Sequence, residues 1–190
     1  MPQNNIAFTF ASSEVNYFGR AFIQVAEFST GKIKLKKLYN QYLKENRSPE
    51  NFWHDAIDKL QLKIEPYFKT PNPIPKTGRL IIIANHAFGV VDGVTMCSLL
   101  TKVRQDYKLI THKVLRQAKA VKENIIPIDF SQTKEALIAN IESRKEAENV
   151  LNNEGVILIF PSGEISTKPK LKPKIKAVEG DWKQFTSKLS

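Results

Sequence analysis

The sequence contains a single cysteine, Cys97, and it is enriched in neither glycine nor proline. One cysteine excludes an intramolecular disulfide framework and a zinc cluster built on cysteines, so a reducing compartment is the default expectation. With 8 glycines and 10 prolines, the chain is neither a fibrous repeat nor a low-complexity segment. The 190 residues, 42% hydrophobic and 25% charged, have the composition of one globular domain.

Acidic residues are also scarce, since 19 Asp and Glu accompany 29 Lys and Arg, giving a formal net charge of +10. This excess predicts an anionic partner: nucleic acid, an anionic membrane surface, or a phosphorylated or CoA-like ligand. The first ten residues contain no Lys or Arg, so no secretory signal peptide is predicted. The nearly uncharged stretch 80–101 includes Asn85, His86 and Asp92, which are costly in hydrocarbon, so no transmembrane helix is predicted either.

Helical periodicity dominates the first third of the chain, and residues 1–69 are predicted to form a helical preface. Apolar residues recur at helical spacing from Phe18 to Phe28 and again from Leu35 to Tyr42, beside many lysines. This pattern suits helices that lie on an anionic membrane, and it equally suits helices that pack on the domain. Residues 70–78 contain three prolines and are predicted to be a linker to a core at 79–190.

Short β-branched segments alternate with helical segments in that core. We predict strands at 79–84, 108–111, 125–129 and 156–160, and helices at 93–104, 114–122 and 134–152. The last helix is expected to bury Leu137, Ile138, Ile141 and Leu151. The alternation predicts an α/β fold, in which the helical preface is followed by a mostly parallel sheet with crossover helices.

Two polar segments follow predicted strands, at the sheet edge where open α/β sheets usually bind ligands. In the first, Asp92 comes six residues after His86, with Gly89 between them. A carboxylate bonded to an imidazole fixes its tautomer and stabilises its cation, so the other ring nitrogen can take a proton from a hydroxyl. The same spacing also fits a loop histidine followed by an aspartate that caps a helix.

The second polar segment, 160–166, follows the last predicted strand. Backbone N–H groups near Gly163 suit an oxyanion or a phosphate, although an ordinary strand-ending turn fits as well. Ser162 is not in a Gly-x-Ser-x-Gly elbow, so we do not expect a hydrolase nucleophile. The sequence has no P-loop or dinucleotide motif, and His54 and His112 lack metal-ligand spacing, so no bound cofactor or metal is predicted.

Together the two segments resemble the motifs of a known family. Asn-His-x5-Asp-Gly at 85–93 and Phe-Pro-x-Gly-x-x-Ser at 160–166 resemble those of the glycerolipid acyltransferases, the lysophosphatidic-acid-acyltransferase-like family. The five-residue gap between His and Asp is similar to the haemolysin-like or aminolipid branch. Similarity extends from Leu35 to Ser190. It implies a glycerol-3-phosphate-acyltransferase-like fold and an O-acyltransferase of membrane lipid synthesis, with acyl-CoA or acyl carrier protein as donor and a lysolipid as acceptor.

The resemblance also implies roles for particular residues. His86 is the expected general base on the acceptor hydroxyl, and Asp92 orients it. Lys168 and Lys170 are candidate anion contacts. The remaining motif residues are expected to bind substrate: Asn85, Phe88, Gly89, Phe160, Pro161, Ser162, Gly163, Glu164 and Ser166.

The sequence departs from the family pattern at several positions. Ser162 and Ile165 stand where glycerophosphate-specific members carry Glu and Arg, and Phe130 replaces an arginine after the third strand. These changes favour a lyso-aminolipid over lysophosphatidic acid as acceptor, although Lys168 or Lys170 could still hold a phosphate. The chain also stops before the family's last motif, so its sheet is expected to be C-terminally incomplete.

Three function classes remain at this point. The favoured one is an acyltransferase bound peripherally to the cytoplasmic face of an anionic membrane. The second is a catalytically incomplete fragment that binds lipid or acyl carrier protein. A nucleic-acid-binding domain is the least favoured, because the lysines are spread along the chain without a recognition motif, and no nucleic-acid partner is expected.

Overall fold

Four short parallel strands form the centre of the molecule. The computed structural model describes residues 32–65, 67, 74–166, 178–185 and 189. The strands pair in the order β1-β4-β2-β3, and every pair is parallel, which confirms the predicted α/β class. Their bounds are β1 Leu80–Ile83, β2 Tyr107–His112, β3 Ile125–Ile128 and β4 Val156–Ile159.

Helices precede the sheet and connect its strands. The α-helices are α1 Lys32–Lys44, α2 Phe52–Lys59, α3 Val90–Thr101 and α4 Lys134–Asn152, and the 3-10 helices are Pro49–Asn51, Lys113–Gln117 and Lys122–Asn124. The bounds of α4 are those predicted. No helix within the described residues is both long and apolar enough to cross a bilayer.

The α-helix predicted at 114–122 is wrong, since two short 3-10 helices occupy this connection. The strands that it joins, β2 and β3, are direct neighbours in the sheet, so the chain does not cross over another strand there. His112 accepts a hydrogen bond from the Val114 N–H, which starts the tight turn. Val114, Ala118 and Val121 are buried, so the apolar spacing that resembled a helix anchors a loop instead.

Alternating residues of β4 separate the core into two layers. Val156 and Leu158 belong to one apolar cluster, with Cys97 and Leu100 of α3, whereas Ile157 belongs to the other cluster, with residues of α4. The two connections that pass over another strand, from β1 to β2 and from β3 to β4, run in opposite directions across the sheet. Because parallel crossovers are right-handed, opposite directions put α3 and α4 on opposite faces.

The described part of the helical preface packs on the domain. Tyr39 and Tyr42 of α1 are buried and make edge contacts with Phe52, and Trp53 of α2 joins the same cluster as α3. Packing on the domain is therefore the interpretation that holds for this helix face. The segment from Phe18 to Phe28 lies outside the described residues.

The predicted buried side of α4 is wrong in part. Leu137 and Ile138 are each 62% exposed and Ile141 is exposed too, while Leu151 is buried as expected. The side of α4 that faces the sheet combines apolar contacts with polar hydrogen bonds. Ser143 donates to the Pro127 carbonyl oxygen at 2.5 Å, and the Asn140 side-chain amide donates to the Asp129 carbonyl oxygen at 2.8 Å. The small residues Ala136 and Ala147 on the same side allow this close approach.

Candidate active site

The loop after β1 brings a histidine and a carboxylate together. His86 lies in the loop that follows β1, and Asp92 lies in the first turn of α3. Asp92 Oδ2 accepts the Phe88 N–H at 2.7 Å and lies 3.2 Å from His86 Nδ1. Gly89, at the N-cap of α3, has φ +64°, a left-handed conformation that favours glycine. One carboxylate thus closes the loop and orients the imidazole.

The hydrogen bond to Asp92 decides which ring nitrogen of His86 is left for chemistry. A carboxylate only accepts hydrogen bonds, so the proton of neutral His86 is on Nδ1. Among the described residues, nothing forms a hydrogen bond with Nε2. The His86 and Asp92 side chains are 21% and 14% exposed, so the pair is sheltered but open to solvent. An unprotonated Nε2 held in this way is suited to general-base catalysis.

The segment after β4 lies directly against this histidine. The phenyl ring of Phe160 stacks on the imidazole of His86, with ring centroids 4.5 Å apart and planes 26° apart. At the other end of the segment, the Ser166 N–H donates to the His86 carbonyl oxygen at 2.7 Å. The contact exists because β4 pairs with β1, which makes the carboxyl ends of these two strands neighbours.

Several polar groups of the turn that starts at Phe160 form hydrogen bonds with one another. The Gly163 N–H donates to the Phe160 carbonyl oxygen at 3.0 Å, and Ser162 Oγ donates to the Glu164 carbonyl oxygen at 2.9 Å. Ser162 is 1% exposed, and Pro161, also buried, accepts the Lys183 N–H at 2.9 Å. These groups shape the turn, and an oxyanion role for N–H groups near Gly163 stays a prediction.

Exposed apolar side chains lie on the loops after β1, β3 and β4, at the same edge of the sheet as the pair. Phe88 is 76% exposed, and Phe130 and Ile165 are about half exposed. A Cβ atom on Gly89 would lie 2.9 Å from Ile165 Cδ1, and one on Gly163 would lie 3.0 Å from the Phe130 ring. Ile165 therefore lies against the histidine loop, and Phe130 lies against the turn after β4.

A second polar group occupies the ends of β2 and β3, and the sequence-based search for strand-end residues missed it. Lys113 Nζ lies 2.5 Å from Asp129 Oδ2, and Ser131 also donates to this carboxylate. Burial disfavours the charged Asp129, but the hydrogen bonds from Lys113 and Ser131 outweigh it and lower its pKa to about 2. His112 stacks on Phe130 with ring centroids 5.7 Å apart. The sequence signal was their position, since Lys113 directly follows β2 and Asp129 directly follows β3.

The structure brings most of the predicted site residues to one edge of the sheet. Asn85, Phe88 and Gly89 lie in the loop after β1, and segment 160–166 lies beside that loop. Glu164 in this segment pairs with Lys183 at 3.6 Å. Lys168 and Lys170 lie outside the described residues. Within the described ranges, no group of three or more His, Cys, Asp or Glu side chains could hold a metal ion.

Comparison with known proteins gives one result. A family model described as Acyltransferase matches residues 65–180, a range that includes both the histidine loop and the turn after β4. No curated protein and no solved structure matches the chain.

Proposed function

Because the chain belongs to the acyltransferase family, we propose that it moves a fatty acyl group from a thioester donor to the hydroxyl of a lysolipid. The observation that carries this proposal is the His86–Asp92 pair, in which Nε2 has no hydrogen-bond partner among the described residues. The donor is acyl-CoA or acyl carrier protein, since both present an activated thioester. Their negative charge suits a chain of net charge +10.

The proposed reaction needs one base and no acylated protein residue. The acceptor hydroxyl gives its proton to His86 Nε2 while its oxygen bonds to the thioester carbonyl carbon. The Asp92 carboxylate stabilises the resulting imidazolium. When the tetrahedral intermediate collapses, the carbon–sulfur bond breaks and the thiolate takes the proton from His86, which leaves an ester, a thiol and neutral imidazole.

Ser162 and Cys97, two candidate nucleophiles, do not favour a covalent intermediate. Ser162 is buried, and its hydroxyl is bonded within the turn after β4. Cys97 is fully buried in α3, and burial raises the pKa of its thiol, so the thiolate does not form at neutral pH. Direct transfer from thioester to hydroxyl is therefore the reaction that this site supports best.

A lipid acceptor is supported by the surface around the base. Phe88, Phe130 and Ile165 are exposed apolar side chains beside the two loops, and Leu137 and Ile138 are exposed on the first turns of α4. Apolar side chains exposed together mark surfaces that bind apolar ligands or membranes. With the basic net charge, they support peripheral contact with the cytoplasmic face of an anionic membrane.

The neighbours of the base favour a lyso-aminolipid over lysophosphatidic acid. Ile165 and Phe130 provide apolar surface where phosphate-specific relatives carry arginines. Lys113 and Lys183, near the same loops, are already paired with Asp129 and Glu164. Lys168 and Lys170 remain candidate contacts for an anionic group on the donor or the acceptor.

Acyl transfer by the purified chain tests the proposal. The assay supplies acyl-CoA or acyl carrier protein with lysophosphatidic acid and lyso-aminolipids, and mass spectrometry detects the two-chain product. We expect His86→Ala to lower the rate about 100- to 10,000-fold, and Asp92→Asn to lower it less. His54→Ala is the matched control, because His54 binds Ser98 Oγ between α2 and α3, away from the site. It should keep the rate per folded molecule.

The alternatives predict different results. A folded chain that binds lipid vesicles or acyl carrier protein but forms no product contradicts the transferase and indicates a binding protein. Salt-sensitive binding to random DNA, without binding to anionic vesicles, indicates a nucleic-acid-binding domain. A product that persists in His86→Ala excludes His86 as the base.

A further inference from the structure

Phe160 contacts the proposed base, and this contact points to a role other than substrate binding. We propose that Phe160 is a positioning residue, whose ring holds the His86 imidazole in the orientation that proton transfer requires. The inference rests on the proposed function, in which His86 is the base. Its structural basis is the stack between the two rings, at a centroid distance of 4.5 Å.

The hydrogen bond to Asp92 alone leaves the imidazole incompletely held. At 3.2 Å it is long, and it directs Nδ1 only within the plane of the ring. The torsion that turns a histidine ring about its Cβ–Cγ bond has broad minima, so a single in-plane bond permits tilting. The Phe160 ring lies against the face of the imidazole and blocks that tilt. The two contacts therefore restrain different motions of the same ring.

The backbone fixes Phe160 and His86 relative to each other. The Ala84 N–H donates to the Ile159 carbonyl oxygen at 3.2 Å, and the Ser166 N–H donates to the His86 carbonyl oxygen at 2.7 Å. The chain that carries the histidine is thus tied to both ends of the segment that carries the phenyl ring. Phe160 is itself 9% exposed and belongs to the core cluster of α3 and β4. Core packing therefore holds the Phe160 ring in place against His86.

Electrostatics gives the stack a role in the reaction as well. The face of a phenyl ring carries partial negative charge and attracts a cation. In the proposed reaction, His86 becomes an imidazolium as it takes the proton from the acceptor hydroxyl. Phe160 therefore stabilises the transition state more than the ground state, so its loss should lower kcat rather than raise KM.

A second stacked pair provides an internal comparison. His112 and Phe130 have ring centroids 5.7 Å apart, and the Phe130 side chain is half exposed. The pair combines the same residue types at the same edge of the sheet. Changes at Phe130 therefore report the effect of losing a histidine–phenylalanine stack that does not involve the base.

Steady-state kinetics of two variants tests the role of Phe160. Phe160→Leu keeps apolar bulk but removes the ring, and Phe160→Tyr keeps the ring. We expect Phe160→Leu to lower kcat about 10- to 100-fold with KM changed less than about twofold, since a small misplacement of a catalytic group has this effect. Phe160→Tyr should restore most of kcat. A raised KM with unchanged kcat in Phe160→Leu would instead make Phe160 a substrate contact and overturn the proposal.

NMR of the histidine rings tests the contact independently of activity. The chain has three histidines, and His86→Asn identifies the signals of His86. We expect its ring protons to be shifted upfield by the phenyl ring and to lose this shift in Phe160→Leu. Phe130→Leu should move only the His112 signals. Unchanged His86 signals in Phe160→Leu overturn the proposal.

A measurement on the wild-type chain tests the stack between Phe160 and His86 without requiring that any variant folds. An NOE between the His86 and Phe160 ring protons supports the stack, and its absence overturns it. A chain that shows this NOE and the upfield shift but transfers no acyl group refutes the proposed function while the positioning contact stands. The two failures are thereby distinguished.

Discussion

The amino edge of the parallel sheet, where the strands begin, differs from the carboxyl edge, where the strands end. At the amino edge, Arg104 is only 4% exposed. Its guanidinium binds the Asp106 carboxylate and donates to the carbonyl oxygens of Pro75, Gly78 and Glu154. At the carboxyl edge, a nitrogen of His86 has no partner among the described residues. One edge satisfies its polar groups internally, and the other leaves a reactive group available to a ligand.

The distribution of apolar surface follows the same division. Several exposed large hydrophobic side chains lie just after the strands, as at Phe88, Phe130 and Ile165, while others, such as Leu43 and Tyr67, lie in the helical preface. In the described segments before the strands, 74–79, 102–106, 118–124 and 152–155, no large hydrophobic side chain is exposed. We therefore expect substitutions at the amino edge to affect mainly stability and substitutions at the carboxyl edge to affect mainly the proposed acyl transfer.

The largest expected effect on stability comes from removing the Arg104 guanidinium at the amino edge. Arg104→Met leaves three carbonyl oxygens without their donor, so we expect the free energy of unfolding to fall by about 3 kcal/mol. Urea unfolding measures it. Arg144→Met is the matched control, because Arg144 forms an exposed pair with Glu148 and its loss should change stability by less than about 0.5 kcal/mol. Equal effects of the two variants would contradict the special role of Arg104.

A smaller effect is expected at the carboxyl edge, from Gly89→Ala. The positive φ disfavours any Cβ, and Ile165 must also shift, so we expect a loss of about 1–3 kcal/mol with reduced acyl transfer. Gly93→Ala is the control, because nothing lies near a Cβ at this helical position, and it should stabilise by about 0.5–1 kcal/mol. Thermal unfolding of both variants checks the prediction. A Gly89→Ala chain as stable as wild type contradicts it.

The smallest expected effect concerns the Lys113–Asp129 pair and its pH dependence. The pKa of Asp129, about 2, lies below its value in an unfolded chain, about 3.9, so the charged form stabilises the fold above pH about 4. This contribution is lost as the pH falls towards about 2. Asp129→Asn should therefore cost about 1 kcal/mol at pH about 6, because Lys113 is partly exposed, and almost nothing near pH about 2.

Urea unfolding at several pH values measures this dependence. Glu142→Gln is the control, since Glu142 and Lys145 form an exposed pair and its loss should have little effect at any pH. A destabilisation by Asp129→Asn that stays constant from pH about 6 to about 2 would show that the charge of Asp129 is not its cause.

Sequence periodicity predicted local structure well where it was strong. The helix at 134–152 and the four strands were predicted close to their observed bounds. Periodicity failed at two places, the orientation of α4 and the connection between β2 and β3, which tertiary contacts determine. Ser143 and Asn140 lie on the side of α4 that contacts β3 and form hydrogen bonds there, while Leu137 is exposed. The parallel strands β2 and β3 are joined by a crossover that contains two short 3-10 helices instead of an α-helix, and its apolar residues Val114, Ala118 and Val121 are buried.

The sequence by itself determined the two motifs, because both the six-residue step from His86 to Asp92 and the Phe160–Ser166 turn are local features of the chain. The tertiary structure alone decided their contact. Strand order depends on pairing between distant segments, which local spacing does not encode, and β4 lies between β1 and β2. That insertion stacks Phe160 on His86. It also brings together at the amino edge the carbonyl groups that Arg104 binds.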